Sequence, residues 1–314
     1  MNVVRRSLPL ALALGLDVVV GEPPAAIHPV VGIGQLAAVM ERRAPGGAWQ
    51  RLVYGALSVG GIVSASVFAG DRVLRAMARA HPLPRLLILA WLLKTTFALR
   101  SLSLAAQAVQ VALQRDDLDG ARAALRSLVS RDVSRLGPAL LAAAAIESVA
   151  ENASDSLVAP LLYYMVGGLP SALAYRAINT LDAMWGYHGA YEHLGKTAAR
   201  VDDLVNLAPA RLTGLLMIGA AALCGRDAAG AWRVMWRDHG RTTSPNAGWP
   251  MAAMAGALGI ELEKVEHYRV GAPAAPPSPA AIGQSVRLVY SVCALGAAAC
   301  VLGEVAHRAR HQRR

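Results

Sequence analysis

Apolar residues run in long blocks rather than at alternate positions. After Arg5 and Arg6 an apolar run extends from Ser7 to Leu16. It resembles a signal peptide, but no small-x-small cleavage site precedes Asp17, so a retained membrane or interfacial helix is expected. Leu52 to Gly70 carries no charge and is long enough to cross a bilayer. Leu86 to Leu113 is apolar but interrupted by Lys94 and Arg100, which predicts a segment lying partly along the interface or against other helices. Ser156 to Tyr175 is free of charge but contains Pro160, Gly167, Gly168 and Pro170. Leu212 to Gly225 and Leu288 to Gly303 are shorter candidates, for a total of about four to six membrane helices. From Asp116 to Arg135 the apolar positions Leu118, Ala121, Leu125, Leu128 and Val129 recur at helical spacing among charges, predicting an amphipathic helix outside the membrane. The fold class expected is all-α, a polytopic integral membrane protein with additional amphipathic helices. Residues 1–314 read as a single helical membrane domain, with a proline-rich linker over 272–279 and a basic tail over 304–314.

Composition strengthens that reading. Hydrophobic residues make up 55% of the chain and charged residues 17%, against about 25% charged in a soluble domain. Disorder is excluded by the same numbers. Cys224, Cys293 and Cys300 are too few and too scattered for a disulfide framework or a structural zinc site. The net charge is +10. In a soluble protein that excess would suggest nucleic acid. Here the basic residues sit between apolar runs and in the tail (Arg308, Arg310, Arg313, Arg314), so they read as loops facing anionic lipid on the cytoplasmic side, with no nucleic-acid partner. An anionic substrate could use the same field. No Walker A sequence is present.

Candidate chemistry concentrates between Ile146 and Arg211. Glu147, Glu151 and Asp155 are spaced i, i+4, i+8, which places them on one face of a continuous helix. No Lys or Arg lies between Arg135 and Arg176. Each uncompensated acid at membrane depth costs about 2.5–3.5 kcal/mol or more, so a divalent metal, a distant Arg or protons must meet this face. Asn152 and Ser154 add oxygen ligands in the same turns, and hard oxygen donors suit Mg²⁺ shared with phosphate. Further on come Arg176, Asn179 and Asp182, three apart, then His188, Lys196, Arg200, Asp202, Asp203, Asn206 and Arg211. Acids for a metal and fixed cations for phosphate oxygens form the mixture that Mg²⁺ and phosphate handling needs.

Five segments in order carry a family resemblance. They are Asp17…Gly21-Glu22-Pro23-Pro24…His28-Pro29-Val30, Glu147-Ser148-Val149-Ala150-Glu151-Asn152-x-x-Asp155, Tyr175-Arg176-Ala177-Ile178-Asn179-Thr180-Leu181-Asp182, Asp202-Asp203-x-x-Asn206-x-x-Pro209-Ala210-Arg211 and Ser244-Pro245-Asn246-Ala247-Gly248. Together they resemble the CobD/CbiB family, the adenosylcobinamide-phosphate synthases of cobalamin biosynthesis, from about Asp17 to Tyr268. Where relatives often carry a His just ahead of the last segment, this chain has Thr242 and Thr243, with His239 upstream.

The resemblance implies an ATP-dependent amide ligation. Aminopropanol, as such or as its O-phosphate, would be joined to the propionate carboxylate of adenosylcobyric acid, with Mg²⁺ as cofactor and ATP as cosubstrate. Glu147, Glu151, Asp155, Asp182, Asp202 and Asp203 are then the expected metal-holding acids. Glu147, Glu151, Asp155, Asp182 and His28 are the expected catalytic set. Arg176, Asn179, Lys196, Arg200, Asn206, Arg211, Asp17, Glu22, Ser244 and Asn246 are the expected substrate- and phosphate-binding set. The implied location is the inner membrane, multi-pass, with the active site on the cytoplasmic side, and a homodimer or a complex with other corrinoid enzymes stays open. Two other readings compete: a cation- or proton-coupled transporter, and a non-catalytic scaffold of a corrinoid pathway complex.

Overall fold

A computed structural model of the chain describes residues 6–187, 189, 191–272 and 275–312. His188, Pro273, Arg313 and Arg314 lie outside the described residues. The first helices are α1 (Ser7–Val20), α2 (Pro29–Arg42), α3 (Ala48–Ala76) and α4 (Pro82–Lys94). They are followed by α5 (Leu99–Gln114), α6 (Leu118–Leu125), α7 (Pro138–Ala153) and α8 (Ala159–Trp185). Then come α9 (Lys196–Val205), α10 (Leu207–Leu223), α11 (Ala228–Asp238) and α12 (Gly248–Leu258). A hairpin of β1 (Glu261–Lys264) and β2 (Tyr268–Gly271) precedes the last helix, α13 (Pro279–Gln312). Four helical stretches are long and apolar enough to cross a membrane: Ala48–Arg79, Pro82–Gln114, Pro138–Trp185 and Pro279–Ala306. The bent pair α9 and α10 would make a fifth. The chain is thus an all-α polytopic membrane protein, and the hairpin is the only strand pair among the described residues.

The backbone parts into two compact units. One comprises residues 1–98, 159–206 and 299–314, and the other residues 99–158 and 207–298.

In the first unit, Ala37, Val59, Ile62, Ala177, Leu181, Trp185, Leu194 and Ala198 form a buried cluster joining α2, α3, α8 and α9. The α8 helix is kinked. Gly168 takes φ 71°, and Pro170 supplies no N–H for the carbonyl of Val166. Arg6 replaces the missing donor: its guanidinium donates to the carbonyls of Tyr164, Met165 and Val166. The α1 backbone is tied down as well, since the Ser7 N–H donates to Glu304 at 2.8 Å. Close packing of the turn after α8 depends on Gly195, where a Cβ would fall 1.7 Å from the Trp185 carbonyl oxygen.

The second unit buries nearly every residue of α7 from Leu141 to Ala150, and all but the last residue of α12. Small residues allow this closeness: a Cβ on Gly256 of α12 would lie 2.4 Å from the Gly230 carbonyl oxygen of α11. Asp238, at the end of α11, is fully buried. It accepts from Arg237, Arg241 and the Gly271 N–H, which anchors the hairpin.

Two local expectations are corrected. The amphipathic stretch 116–135 is helical only over Leu118–Leu125, capped by Asp117 through the Gly120 N–H. Leu128 and Val129 belong to turn and loop, because Ser127 turns back onto the Ala124 carbonyl. The α-helical phase expected to carry Asp155 ends at Ala153. Ser154–Val158 is a π-helical turn, in which Ser156 donates to Asn152 Oδ1 and Asn152 donates to the Ser148 carbonyl. Such turns often mark functional sites.

Candidate functional site

The predicted residues fall into separate groups, each held by identifiable elements. In the first unit, Asp17 on α1, Glu22 and His28 converge on Lys94, the last residue of α4. Lys94 is 1% exposed and lies 3.3 Å from Asp17 and 2.9 Å from Glu22. This explains the charge inside the apolar run 86–113: burying an ammonium is tolerable only beside matched anions. Nδ1 of His28 accepts the Val30 N–H at the start of α2, so Nε2 carries the proton and donates to Glu22 at 2.9 Å. Both ring nitrogens are therefore engaged.

The second group of this unit joins the end of α8 to α9. Tyr175, stacked on Tyr163 at 5.1 Å, donates to Asn206 Oδ1, and Asn206 donates to Asp202 Oδ2, both at 2.9 Å. Asp202 Oδ1 is buried, and the Asn179 side chain of α8 also interacts with the Asp202 carboxylate. Asp182 and Asp203 interact electrostatically with it. The Asp182 carboxylate packs on Gly186, whose Cβ would be 2.1 Å away. Arg176 donates to Asn179 Oδ1 at 3.0 Å. Lys196 and Arg200 are exposed on α9, and Arg200 acts electrostatically on Asp203. These are oxygen donors of the kind a hard divalent cation takes, and the buried Asp202 oxygen fits it. Among the described residues no three or more His, Cys, Asp or Glu are set to hold a metal ion by themselves. Protein acids here would supply part of a coordination shell, with phosphate oxygens and water completing it.

In the second unit Glu147 is buried, and the cation that meets it is Arg131, at 2.9 Å. Arg131 comes from the loop after α6, a connection that local spacing does not encode. Lys264 and Tyr268 of the hairpin also lie in the electrostatic reach of Glu147. Burial, reinforced by Glu147 and Glu151, holds the Tyr268 hydroxyl above the ordinary phenol range, so it remains a proton donor. Glu151 is exposed and Asp155 is half-buried in the π turn.

Arg211 on α10 donates Nη1–H to the Leu207 carbonyl at 2.7 Å, and its guanidinium lies over the Trp249 ring, 4.8 Å from the centroid. The His239 ring packs on the same indole at 4.1 Å, and Trp236 meets it edge-on at 5.3 Å. Ser244 accepts the N–H groups of Asn246 and Ala247, shaping the turn into α12, and Asn246 is buried. Trp249 does not stand out in the sequence, because Thr242 to Pro250 reads as an uncharged loop of Pro/Asn/Gly turn chemistry.

These features define a helical membrane protein with ionisable groups buried among its spans. A family model described as CobD/Cbib protein matches residues 10–289, and the chain belongs to the CobD/CbiB family. It is 44% identical over 279 residues to the "Cobalamin biosynthesis protein CobD" of Dehalococcoides mccartyi, covering 88% of this chain and 91% of that one. Identity to the protein of the same name in Geobacter metallireducens is 42% over 300 residues, covering 92% and 94%. The "Cobalamin biosynthesis protein CbiB" of Salmonella typhimurium is 38% identical over 313 residues, covering 94% and 98%. No solved structure matches.

Proposed function

We propose that this chain acts in cobalamin biosynthesis as a membrane-embedded, ATP-dependent ligase. It joins aminopropanol, in free or phosphorylated form, to the propionate carboxylate of adenosylcobyric acid. Family membership supports the pathway. The observation that carries the chemistry is the buried Asp202 carboxylate, held by Asn206 and Asn179 and facing two further aspartates. A carboxylate repels an incoming amine and has no good leaving group. Transfer of the γ-phosphoryl group of ATP to a carboxylate oxygen releases ADP and gives an acyl phosphate. The amine nitrogen then attacks the acyl carbon, the C–N bond forms, and phosphate leaves with the C–O bond pair. An Mg²⁺ ion beside Asp182, Asp202 and Asp203 would neutralise charge on the phosphate oxygens.

The relay from Tyr175 through Asn206 fixes the orientation of Asp202. Lys196 and Arg200 offer mobile positive charge to phosphate on the same helix. With both nitrogens of His28 engaged, the proton of the attacking ammonium passes to a carboxylate of the aspartate group. ATP chemistry puts this site on the cytoplasmic face of the inner membrane.

The test uses purified chain with adenosylcobyric acid, Mg·ATP and aminopropanol or its phosphate, read by mass spectrometry. Amide product, with ADP formed in equal amount, is expected. Asp202→Asn should lower turnover by about 100-fold or more while leaving the protein monodisperse. Unchanged turnover in that variant would remove the aspartate group from the mechanism. Cation flux in proteoliposomes without ATP consumption would replace the ligase reading with a transporter.

A further inference from the structure

A groove in the second unit carries charged residues that neither the ligase reading nor the family resemblance uses. It lies between the hairpin, the loop before α7 and the first turns of α7. Two adjoining cavities form it, and Leu140 and Glu263 line both. The larger, about 320 Å³, has Ala139, Leu140 and Ala143 of α7 and Pro276 and Pro277 as apolar walls, with Glu261 and Glu263 as its charged lining. The smaller, about 200 Å³, gathers Arg131, Lys264 and His267, with Asp132 beside them. One end of the groove is therefore acidic between apolar walls, and the other is mainly basic.

Most of these groups are already engaged. Asp132 accepts the N–H and hydroxyl of Ser134, Glu263 accepts from Arg269 at 2.8 Å, and Arg131 reaches Glu147 at 2.9 Å. Glu261 and Lys264 differ. Both are half-buried, and among the described residues neither forms a salt bridge or a side-chain hydrogen bond. Arg269 and Glu147 act on them only at longer range. Three residues along a strand separate their Cα atoms by about 10 Å, so they do not neutralise each other. The hairpin holds them in place. Leu262 and Val270 pair across the strands and are fully buried. Gly271 is bound at its N–H by Asp238 and at its carbonyl by Arg237. Half-buried charges without counterions are costly, and one ligand that carries both complementary charges satisfies the two together.

We propose that this groove binds a small zwitterion, an amino-alkyl phosphate, with its ammonium on Glu261 and Glu263 and its phosphate on Lys264 and Arg131. The apolar walls take the alkyl chain between the two charges. Phosphate oxygens accept from the Lys264 ammonium and the Arg131 guanidinium, and the ligand ammonium donates to Glu261. Such a group comes from two sources, a soluble amino-alkyl phosphate or the headgroup of a zwitterionic phospholipid. The site does not rest on the ligase reading. Under that reading the phosphorylated amine substrate belongs to this class, and the free amine does not.

Equilibrium dialysis of radiolabelled O-phosphoethanolamine against the full chain in maltoside detergent reads the binding. Wild type should bind it saturably. Inorganic phosphate, which lacks the ammonium, and phosphocholine, which has no N–H to give Glu261, should each compete about tenfold more weakly. Glu261→Gln should weaken phosphoethanolamine by about tenfold and leave phosphate unchanged, whereas Lys264→Gln should weaken both by about tenfold. A disturbed hairpin would weaken both ligands in both variants, so this split reads the two ends of the groove separately. No saturable binding to wild type, equal affinity for phosphate and phosphoethanolamine, or a Glu261→Gln variant indistinguishable from wild type overturns the site. The same dialysis in phosphatidylcholine nanodiscs separates the sources. Loss of phosphoethanolamine binding when phosphatidylethanolamine is included assigns the groove to the lipid headgroup, and unchanged binding assigns it to the soluble ligand. Binding is read without turnover. Saturable binding in a protein that makes no amide sinks the ligase reading and leaves the groove standing, and amide formation without this binding does the reverse.

Discussion

Lys94 shows how one residue can decide whether a segment is tolerated. Its ammonium is withdrawn from solvent and faces Asp17, equally buried, and Glu22, a third exposed. Removing one partner of a buried pair leaves an uncompensated charge, at a cost of about 3–5 kcal/mol. Lys94→Met should therefore lower thermal stability in detergent markedly, and Glu22→Gln should lower it less because Glu22 is more exposed. Equal melting of Lys94→Met and wild type would contradict the pairing. Asp238 gives a pH signature. Burial favours its neutral form, but hydrogen bonds from Arg237 and the Gly271 N–H, with the charges of Arg237 and Arg241, outweigh it and hold the carboxyl below the usual aspartate range. A depressed value means that Asp238 contributes its full stability above the unfolded aspartate pKa of about 3.9. That contribution disappears as pH falls through the lower folded value. Melting profiles of wild type should drop across that acid window, while Asp238→Asn should be less stable at neutral pH and lose this part of the drop.

At the scale of elements, what was legible followed from periodicity. The uncharged block 52–70 lies wholly within α3, and the block 288–303 within α13. The break in the block 86–113 falls between Lys94 and Leu99, with Lys94 and Arg100 on its two sides. What was not legible depended on partners remote in the chain. Lys94 reads as an interruption until Asp17 and Glu22 are beside it, and Glu147 of α7 reads as uncompensated until Arg131 arrives from a loop expected to be helix. Asp182, Asp202 and Asp203 stand out in the sequence as acids clustered with fixed cations, but the Tyr175–Asn206–Asp202 relay does not, since it needs the turn after α8 to fold tightly. Gly195 governs that turn. With a Cβ 1.7 Å from the Trp185 carbonyl oxygen, α9 has to shift by more than 1 Å to reach ordinary contact. A displacement of this size at a catalytic group costs on the order of 100-fold in rate. Gly195→Ala should thus reduce kcat far more than it reduces yield of folded protein, and unchanged kcat would show that the turn does not position Asp202.

Membrane orientation is a property of the whole molecule that charge counting leaves open, because basic residues flank nearly every apolar run. The ligase reading makes a definite demand on it. The half-buried Asp203 must be reachable from the compartment that supplies ATP, whereas the apolar interior of α3 must be reachable from neither side. The chain has three cysteines, Cys224, Cys293 and Cys300, so a background with all three replaced by Ser or Ala carries single introduced cysteines cleanly. Asp203→Cys should react with a membrane-impermeant maleimide in inverted vesicles and not in intact cells, and Mg·ATP should slow the reaction. Val63→Cys, in the middle of the uncharged block of α3, should resist labelling in both preparations until detergent is added. Labelling of Asp203→Cys from the outside would place the aspartate group away from ATP. It would then be the transporter reading, which needs buried acids but no nucleotide, that accounts for charges placed so deep among apolar helices.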